Sequence, residues 1–335
     1  MRAQTRSGLA TVGVVGAGAW GTALANAAAR ADRRVLLYAR DPAQAAALAR
    51  DRVNQAKLPS ARLDLAIDPT ADLQALAPAQ ALLIAVPAQA VRGICESLAP
   101  IIAEGCPIIV CAKGLERGSE SFMTEVVAQA LPHALPAVLS GPSFAADVAA
   151  GLPTAGVIGA SEPEVAAELA QGLSSLTLRL YHTTDARGVE IGGAGKNVLA
   201  IAAGMVEGRG LGDSAKAALV ARGFAELRRF AAAHGARPET LMGLSGLGDL
   251  MLSTASAKSR NFAFGLALGR GEPPATATHG KLTEGAFTAS VLCAMARRAG
   301  VDMPVSEAVA AILDARLSID AAIDALMRRP VRPEE

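Results

Sequence analysis

The chain has 335 residues, 51% of them hydrophobic and only 3% aromatic, a length that suits two domains of ordinary size. Its 32 Lys+Arg against 31 Asp+Glu leave a formal net charge of +1. That balance excludes a global field drawing the protein to nucleic acid or an anionic membrane, so an anionic ligand must be held by local charges, which points to a small molecule.

At the amino end, Arg2 and Arg6 precede an uncharged stretch, Ser7 to Ala29, that closes on Ala27-Ala28-Ala29. By hydropathy this resembles an export signal. Gly8, Gly13, Gly16, Gly18 and Gly21 interrupt it too often for a spanning helix, and a buried strand-turn-helix unit explains their spacing better. No other apolar run approaches the ~20 residues needed to span a bilayer, so no membrane span is expected. The four cysteines, Cys95, Cys106, Cys111 and Cys293, form no C-x-x-C pair and no metal-ligand spacing. They read as reduced core thiols of a cytoplasmic protein with no metal.

Within the stretch, Thr11-Val-Gly-Val-Val-Gly16-Ala-Gly18-Ala-Trp20-Gly21 is a strand running into G-x-G-x-x-G and then a helix, expected over Thr22–Ala31. Gly16 permits the tight turn, Gly18 lets backbone approach a pyrophosphate, and Gly21 lets helix and strand pack closely. The helix start adds free N–H groups and partial positive charge. The next strand ends at Arg40-Asp41, about 20 residues on, where ribose specificity is normally set. An acid there accepts from the 2′-hydroxyl of NAD, and an arginine pairs with the 2′-phosphate of NADP. The two neighbours disagree. Arg40 comes first after the strand, which favours NADP(H) over NAD(H).

Further strands are expected at Val35–Tyr38, Ala81–Val86, Pro107–Cys111, Ala137–Ser140, Thr154–Ile158 and Leu178–Tyr181, following Val12–Val15. Short, apolar and separated by helical stretches, they predict a doubly wound, mostly parallel sheet in an α/β Rossmann-type domain over residues 1–188. From 189 to 335 only helical periodicity is found: Val189–Val206, Ser214–His234, Pro238–Leu244, Arg260–Leu268, Thr283–Ala299, Val305–Ala315 and Ile319–Arg328. Asp213, Ser259 and Ser318 sit at N-cap positions and Gly235, Gly269 and Gly300 at C-cap positions. This predicts an all-helical second domain for substrate and catalysis, ending in a frayed tail over residues 329–335.

Polar clusters interrupt these small and apolar surroundings. Gly192-Gly193-Ala194-Gly195-Lys196-Asn197 sets a lysine and an amide in a helix. Ser245-Gly246-Leu247-Gly248-Asp249 holds one acid, and Ser259-Arg260-Asn261 opens a helix whose N–H groups, guanidinium and amide suit a phosphate. Lys113-Gly114-Leu115 and Ser140-Gly141-Pro142-Ser143-Phe144-Ala145 follow strands, where an open α/β sheet binds ligands. Singly, each has a bland reading: a snorkelling lysine, an N-capping Asp249, a surface Arg260. Jointly they suggest a site.

These motifs carry a resemblance. GAGAWGTALA (Gly16–Ala25), AKGL (Ala112–Leu115), SGPSFA (Ser140–Ala145), GKN (Gly195–Asn197), SGLGDL (Ser245–Leu250), SRN (Ser259–Asn261) and TEG (Thr283–Gly285) resemble, in order from Val12 to about Met303, the bacterial NAD(P)-dependent glycerol-3-phosphate dehydrogenase family. The resemblance implies interconversion of dihydroxyacetone phosphate and glycerol 3-phosphate by a cytoplasmic homodimer supplying phospholipid synthesis. It makes Lys196 the proton acceptor in oxidation and the acid in reduction. It puts Lys113, Gly141, Ser143, Asp249, Ser259, Arg260 and Asn261 on the substrate, with Asn197 in support. Ala19, Trp20, Arg40, Lys113, Ala145, Arg260, Leu282 and Glu284 fall at cofactor-contact positions. Three departures stand out: Lys57 where the family has an aromatic before Leu-Pro, Phe262-Ala263 where many relatives are basic, and Ser214 for an asparagine. Two rivals are another 3-hydroxyacid dehydrogenase of the same architecture and a dinucleotide sensor without catalysis. The sensor has no need of Lys113, Lys196 and Asp249.

Overall fold

The computed structural model describes residues 8–280 and 282–330, so the end of the tail expected to fray, residues 331–335, lies outside the described residues. The chain divides into two compact units, one of residues 1–112 with 122–189, the other of residues 113–121 with 190–335.

The first unit carries the strands β1 (Thr11–Val15), β2 (Arg34–Tyr38), β3 (Val53–Asn54), β4 (Leu58–Arg62), β5 (Ile67–Thr70), β6 (Ala81–Ile84), β7 (Pro107–Val110), β8 (Leu135–Ser140), β9 (Thr154–Ala160) and β10 (Leu178–Thr183). Eight of them form one sheet in the order β10-β9-β8-β7-β6-β1-β2-β5. All neighbours run parallel except β8 and β9. Alternate side chains leave opposite faces: Val14, Leu37, Leu83 and Ile109 enter one core layer, and Val15, Leu36, Leu82 and Ile108 the other. A parallel strand buried on both faces has no polar side to show, which is why these segments read as unbroken apolar runs. All four cysteines are free and buried.

Helices α1 (Ala19–Arg30), α2 (Pro42–Asp51), α3 (Val91–Leu98), α4 (Met123–Ala130), α5 (Ala145–Ala149) and α6 (Pro163–Leu173) belong to this unit. α1 begins at Ala19, three residues before the expected Thr22, because Gly18 is already the extended N-cap (φ −77°, ψ −177°). Trp20 and Gly21 therefore lie in its first turn. Sequence periodicity also missed β5 and the antiparallel β3–β4 hairpin. β3 is two residues long, and Pro59 and Pro69 interrupt β4 and β5, so none carries an apolar run to detect.

In the second unit α7 (Ala186–Gly208), whose first residues through Val189 group with the first unit, is followed by α8 (Asp213–Ala233), α9 (Pro238–Met242), α10 (Asp249–Thr254), α11 (Arg260–Gly269), α12 (Pro274–Ala277), α13 (Glu284–Arg298), α14 (Pro304–Leu313) and α15 (Ile319–Met327). A single π turn, Leu244–Gly248, joins α9 to α10. Ser259 and Ser318 cap as expected, accepting from Phe262 N and Ala321 N. Asp213 does not: Gly212 is the cap, and Asp213 instead pairs with Lys216 at 2.9 Å. Gly269 ends α11 inside the helix, and Gly271 (φ +95°) takes the left-handed position. The start of α14 is capped from α8, where the buried Glu226 carboxylate accepts from Val305 N at 2.7 Å and Ser306 N at 3.1 Å.

Two expectations change. An uninterrupted apolar run was the criterion for a membrane span outside the amino end, yet α7 is long and apolar enough on average, and its apolar window is wholly buried in protein. Residues 113–121 were placed in the first domain. They group with the second unit, where Arg117 lies 4.5 Å over the Phe287 ring and Glu120 pairs with Arg298.

Candidate active site

In the first unit the glycine loop lies where the strand order reverses, with β2 on one side of β1 and β6 on the other. That switch point is where an open α/β sheet leaves a crevice at its strand ends. Gly16 (φ +108°) donates to Tyr38 O at 3.0 Å, and a Cβ there would meet the Ala85 carbonyl at 2.9 Å. A Cβ on Gly21 would run into the Gly16 carbonyl. Gly18 differs: nothing lies within 4 Å of its Cβ position. Two glycines are thus demanded by the fold and the third only by something that approaches the backbone. That pattern, at the start of a twelve-residue helix, fits a pyrophosphate. Ala19 opens the helix, and the half-buried Trp20 packs on the core with its indole N–H unpartnered.

Arg40 is exposed beyond the end of β2. Asp41 is committed elsewhere, since its carboxylate caps α2 by accepting from Ala43 N at 2.9 Å. Gly141, Ser143 and Ala145 follow β8 and lead into α5; Ser143 Oγ donates to Gly141 O at 3.2 Å.

The second unit brings four charged or polar groups together in its interior. Gly192 lets α7 approach the π turn, for a Cβ there would meet Ser245 O at 2.8 Å and Gly246 Cα at 2.9 Å. One turn further along the same helix face stands Lys196, and just past the π turn stands Asp249. Their groups meet: Lys196 Nζ donates to Asp249 Oδ1 at 2.9 Å and to Ser253 Oγ at 2.6 Å. Lys113 Nζ takes the other carboxylate oxygen, Oδ2, at 2.7 Å. Asp249 is 1% exposed and Lys196 8%. Asn197 donates to the Lys113 carbonyl at 2.9 Å and accepts from Asn261, whose own oxygen accepts from Gly285 N. Ser259 and Arg260 open α11, and Leu282 and Glu284 flank the start of α13.

Burial is the main reason the Lys196 ammonium is pushed down to about 8. The Asp249 charge opposes that shift, and Lys113 and Arg260 add to it. Burial likewise works to push the Asp249 carboxyl up, but the two lysines more than reverse it and hold it below the usual carboxylate range. The result is one buried carboxylate between two lysines, one of which gives up its proton near 8. Such a group can deliver a proton to an oxygen and take it back.

Sequence reasoning missed Ser253. It sits four residues after Asp249, hence on the same face of α10, and its hydroxyl also donates to Asp249 Oδ1 at 3.3 Å. That spacing was the available signal, hidden because α10 itself was not recognised. Asn54 was missed as well, although its side chain reaches the glycine loop.

Comparison with known proteins finds matches to both halves of the chain. A family model described as NAD-dependent glycerol-3-phosphate dehydrogenase N-terminus matches residues 11–166, and its C-terminal counterpart residues 185–324. A protein of Azorhizobium caulinodans named glycerol-3-phosphate dehydrogenase (NAD(P)+) is 60% identical over 324 residues, 96% of this chain and 98% of the relative. One of the same name from Bradyrhizobium diazoefficiens is 60% identical over 325 residues, covering 97% and 98%. The crystal structure of glycerol-3-phosphate dehydrogenase from Coxiella burnetii superposes with a TM-score of 0.91 at 35% identity, over 96% of this chain and 99% of that one. With both halves matched and the lysine–aspartate–lysine cluster built from the motifs that suggested it, the chain belongs to the NAD-dependent glycerol-3-phosphate dehydrogenase family.

Proposed function

We propose that the protein reduces dihydroxyacetone phosphate to sn-glycerol 3-phosphate, reversibly, with NADPH preferred over NADH, as a cytoplasmic homodimer supplying phospholipid synthesis. Family membership supports the reaction, and the observation that carries the chemistry is the buried cluster of Lys196, Asp249, Lys113 and Ser253. A dinucleotide, when bound at the glycine loop, would supply the hydride for the C2 carbonyl carbon. The Lys196 ammonium delivers the proton that turns the carbonyl oxygen into the hydroxyl, leaving a neutral amine. Lys113, held by Asp249, offers its charge to the oxygen as negative charge develops. Ser253 and Asp249 aim the Lys196 nitrogen. Arg260 at the start of α11, with Ser259 and Asn261, binds the phosphate end, and that remote binding energy orients the reacting carbon; Gly141 and Ser143 are proposed substrate contacts on the family resemblance. Asn197 supports Lys113 through its carbonyl.

The test is NADPH oxidation with dihydroxyacetone phosphate. Turnover of a non-phosphorylated hydroxy or keto acid, with none of dihydroxyacetone phosphate, favours the other 3-hydroxyacid dehydrogenase. For the cofactor, Arg40 is the group left for a 2′-phosphate because Asp41 is engaged as a helix cap. Arg40→Ala is expected to lower the NADPH-over-NADH ratio of kcat/KM by about ten- to a hundredfold, the worth of a charge-assisted hydrogen bond. An unchanged ratio removes Arg40 from the reading. Ala19, Trp20, Gly21, Ala145, Leu282 and Glu284 complete the proposed cofactor contacts.

A further inference from the structure

The Ala17 carbonyl, inside the glycine loop, accepts two side-chain amides from two different elements. Gln44 Nε2 on α2 donates at 2.8 Å, and Asn54 Nδ2 on β3 donates at 3.0 Å. A carbonyl oxygen has two lone pairs, so both are taken. The second N–H of Asn54 goes to Thr22 Oγ1 in the first turn of α1 at 2.8 Å, and Asn54 and Thr22 are buried. The hairpin that carries Asn54 is tied to α1 a second time, by Asn26, which donates to Arg62 O at 3.1 Å and accepts from Asp64 N at 3.0 Å.

A planar trans peptide points its C=O and the following N–H in opposite directions. Drawing the Ala17 oxygen toward Gln44 and Asn54 therefore turns the Gly18 N–H the other way. It also withdraws a partial negative charge from any anion that approaches the open side of Gly18. We infer that Asn54 and Gln44 are positioning residues that preset the Ala17–Gly18 peptide for a pyrophosphate, an inference that rests on the dinucleotide reading of the glycine loop. The β3–β4 hairpin is then a brace for the cofactor loop, and its missing apolar pattern follows, since its key bond is made by one buried amide. Asp at position 54 would set an acceptor against an acceptor.

The experiment is calorimetric titration with two probes: 2′-phospho-ADP-ribose, which contains the pyrophosphate, and adenosine 2′-monophosphate, which lacks it. Asn54→Ala and Gln44→Ala are each expected to weaken the first probe by about tenfold, with the second changed less than about twofold. Asn54→Asp should weaken the first probe further than Asn54→Ala. Wild-type protein that binds neither 2′-phospho-ADP-ribose nor ADP-ribose sinks the dinucleotide reading itself; binding of ADP-ribose alone reverses the NADPH preference and makes ADP-ribose the first probe. If wild type binds the first probe, variants that bind both probes normally, or lose both alike, overturn the positioning role. Gln44 is on a half-exposed helix position, so Gln44→Ala decides alone should Asn54→Ala not fold.

Discussion

Lys196→Met is expected to lower kcat for dihydroxyacetone phosphate reduction by about 10²–10⁴-fold, the range set by losing a positioned general acid, while NADPH affinity stays near that of wild type. Methionine keeps most of the apolar stem, so the packing of α7 survives and the loss falls on the proton. The Lys113–Asp249 pair also survives, which keeps the buried carboxylate compensated. The wild-type pH profile gives the same group a second signature. Reduction needs the charged ammonium, so its rate holds below about 8 and falls by about tenfold per pH unit above. Oxidation needs the neutral amine, so it climbs through the same range and levels off above it. In Lys196→Met both limbs near 8 should vanish from what activity remains. A variant that turns over like wild type, or keeps the limb, assigns the proton elsewhere. A dinucleotide sensor without catalysis would show no turnover in either protein.

How far the sequence led is clearest at Lys196. Its reading as a functional lysine came from a charge among glycines and alanines, and those glycines turn out to be what permits the approach: Gly192 clears the π turn and Gly195 clears Leu227. The parallel strands were legible because burial on both faces forces an apolar run. The hairpin, β5 and α10 were not, and for different reasons. β3 is two residues long, and Pro59 and Pro69 break β4 and β5, so no period marks them. α10 is six residues long and follows a π turn, a register shift that no 3.6-residue template accommodates. That shift matters, because it brings Asp249 and, one turn on, Ser253 to the lysine. Arg40 and Asp41 show a third limit. Their types point to different cofactors at the same spacing, and the structure adds only that one Asp41 oxygen is used to cap α2 by accepting from Ala43 N.

Asp249→Asn tests whether one carboxylate governs the whole cluster. The amide can accept from one lysine through its oxygen, but its nitrogen has nothing to offer the other. Two ammonium groups, at 2.7 and 2.9 Å from the present carboxylate, then face each other across a neutral side chain. Removing one member of a buried ion pair typically costs about 3–5 kcal/mol, and the thermal midpoint should fall accordingly. The kinetic effect has a sign of its own. Asp249 is the main influence holding the Lys196 pKa up against burial and against Lys113 and Arg260. Without it, the ammonium loses its proton at lower pH, and the alkaline limb of reduction moves from about 8 to lower pH. At neutral pH the reduction rate should therefore fall by about a hundredfold or more, from misplaced lysines and lost protonation together. Oxidation, which uses the neutral amine, gains from the second effect and should lose less. A limb that stays near 8 in Asp249→Asn would mean that burial alone sets the lysine. The carboxylate would then only orient it.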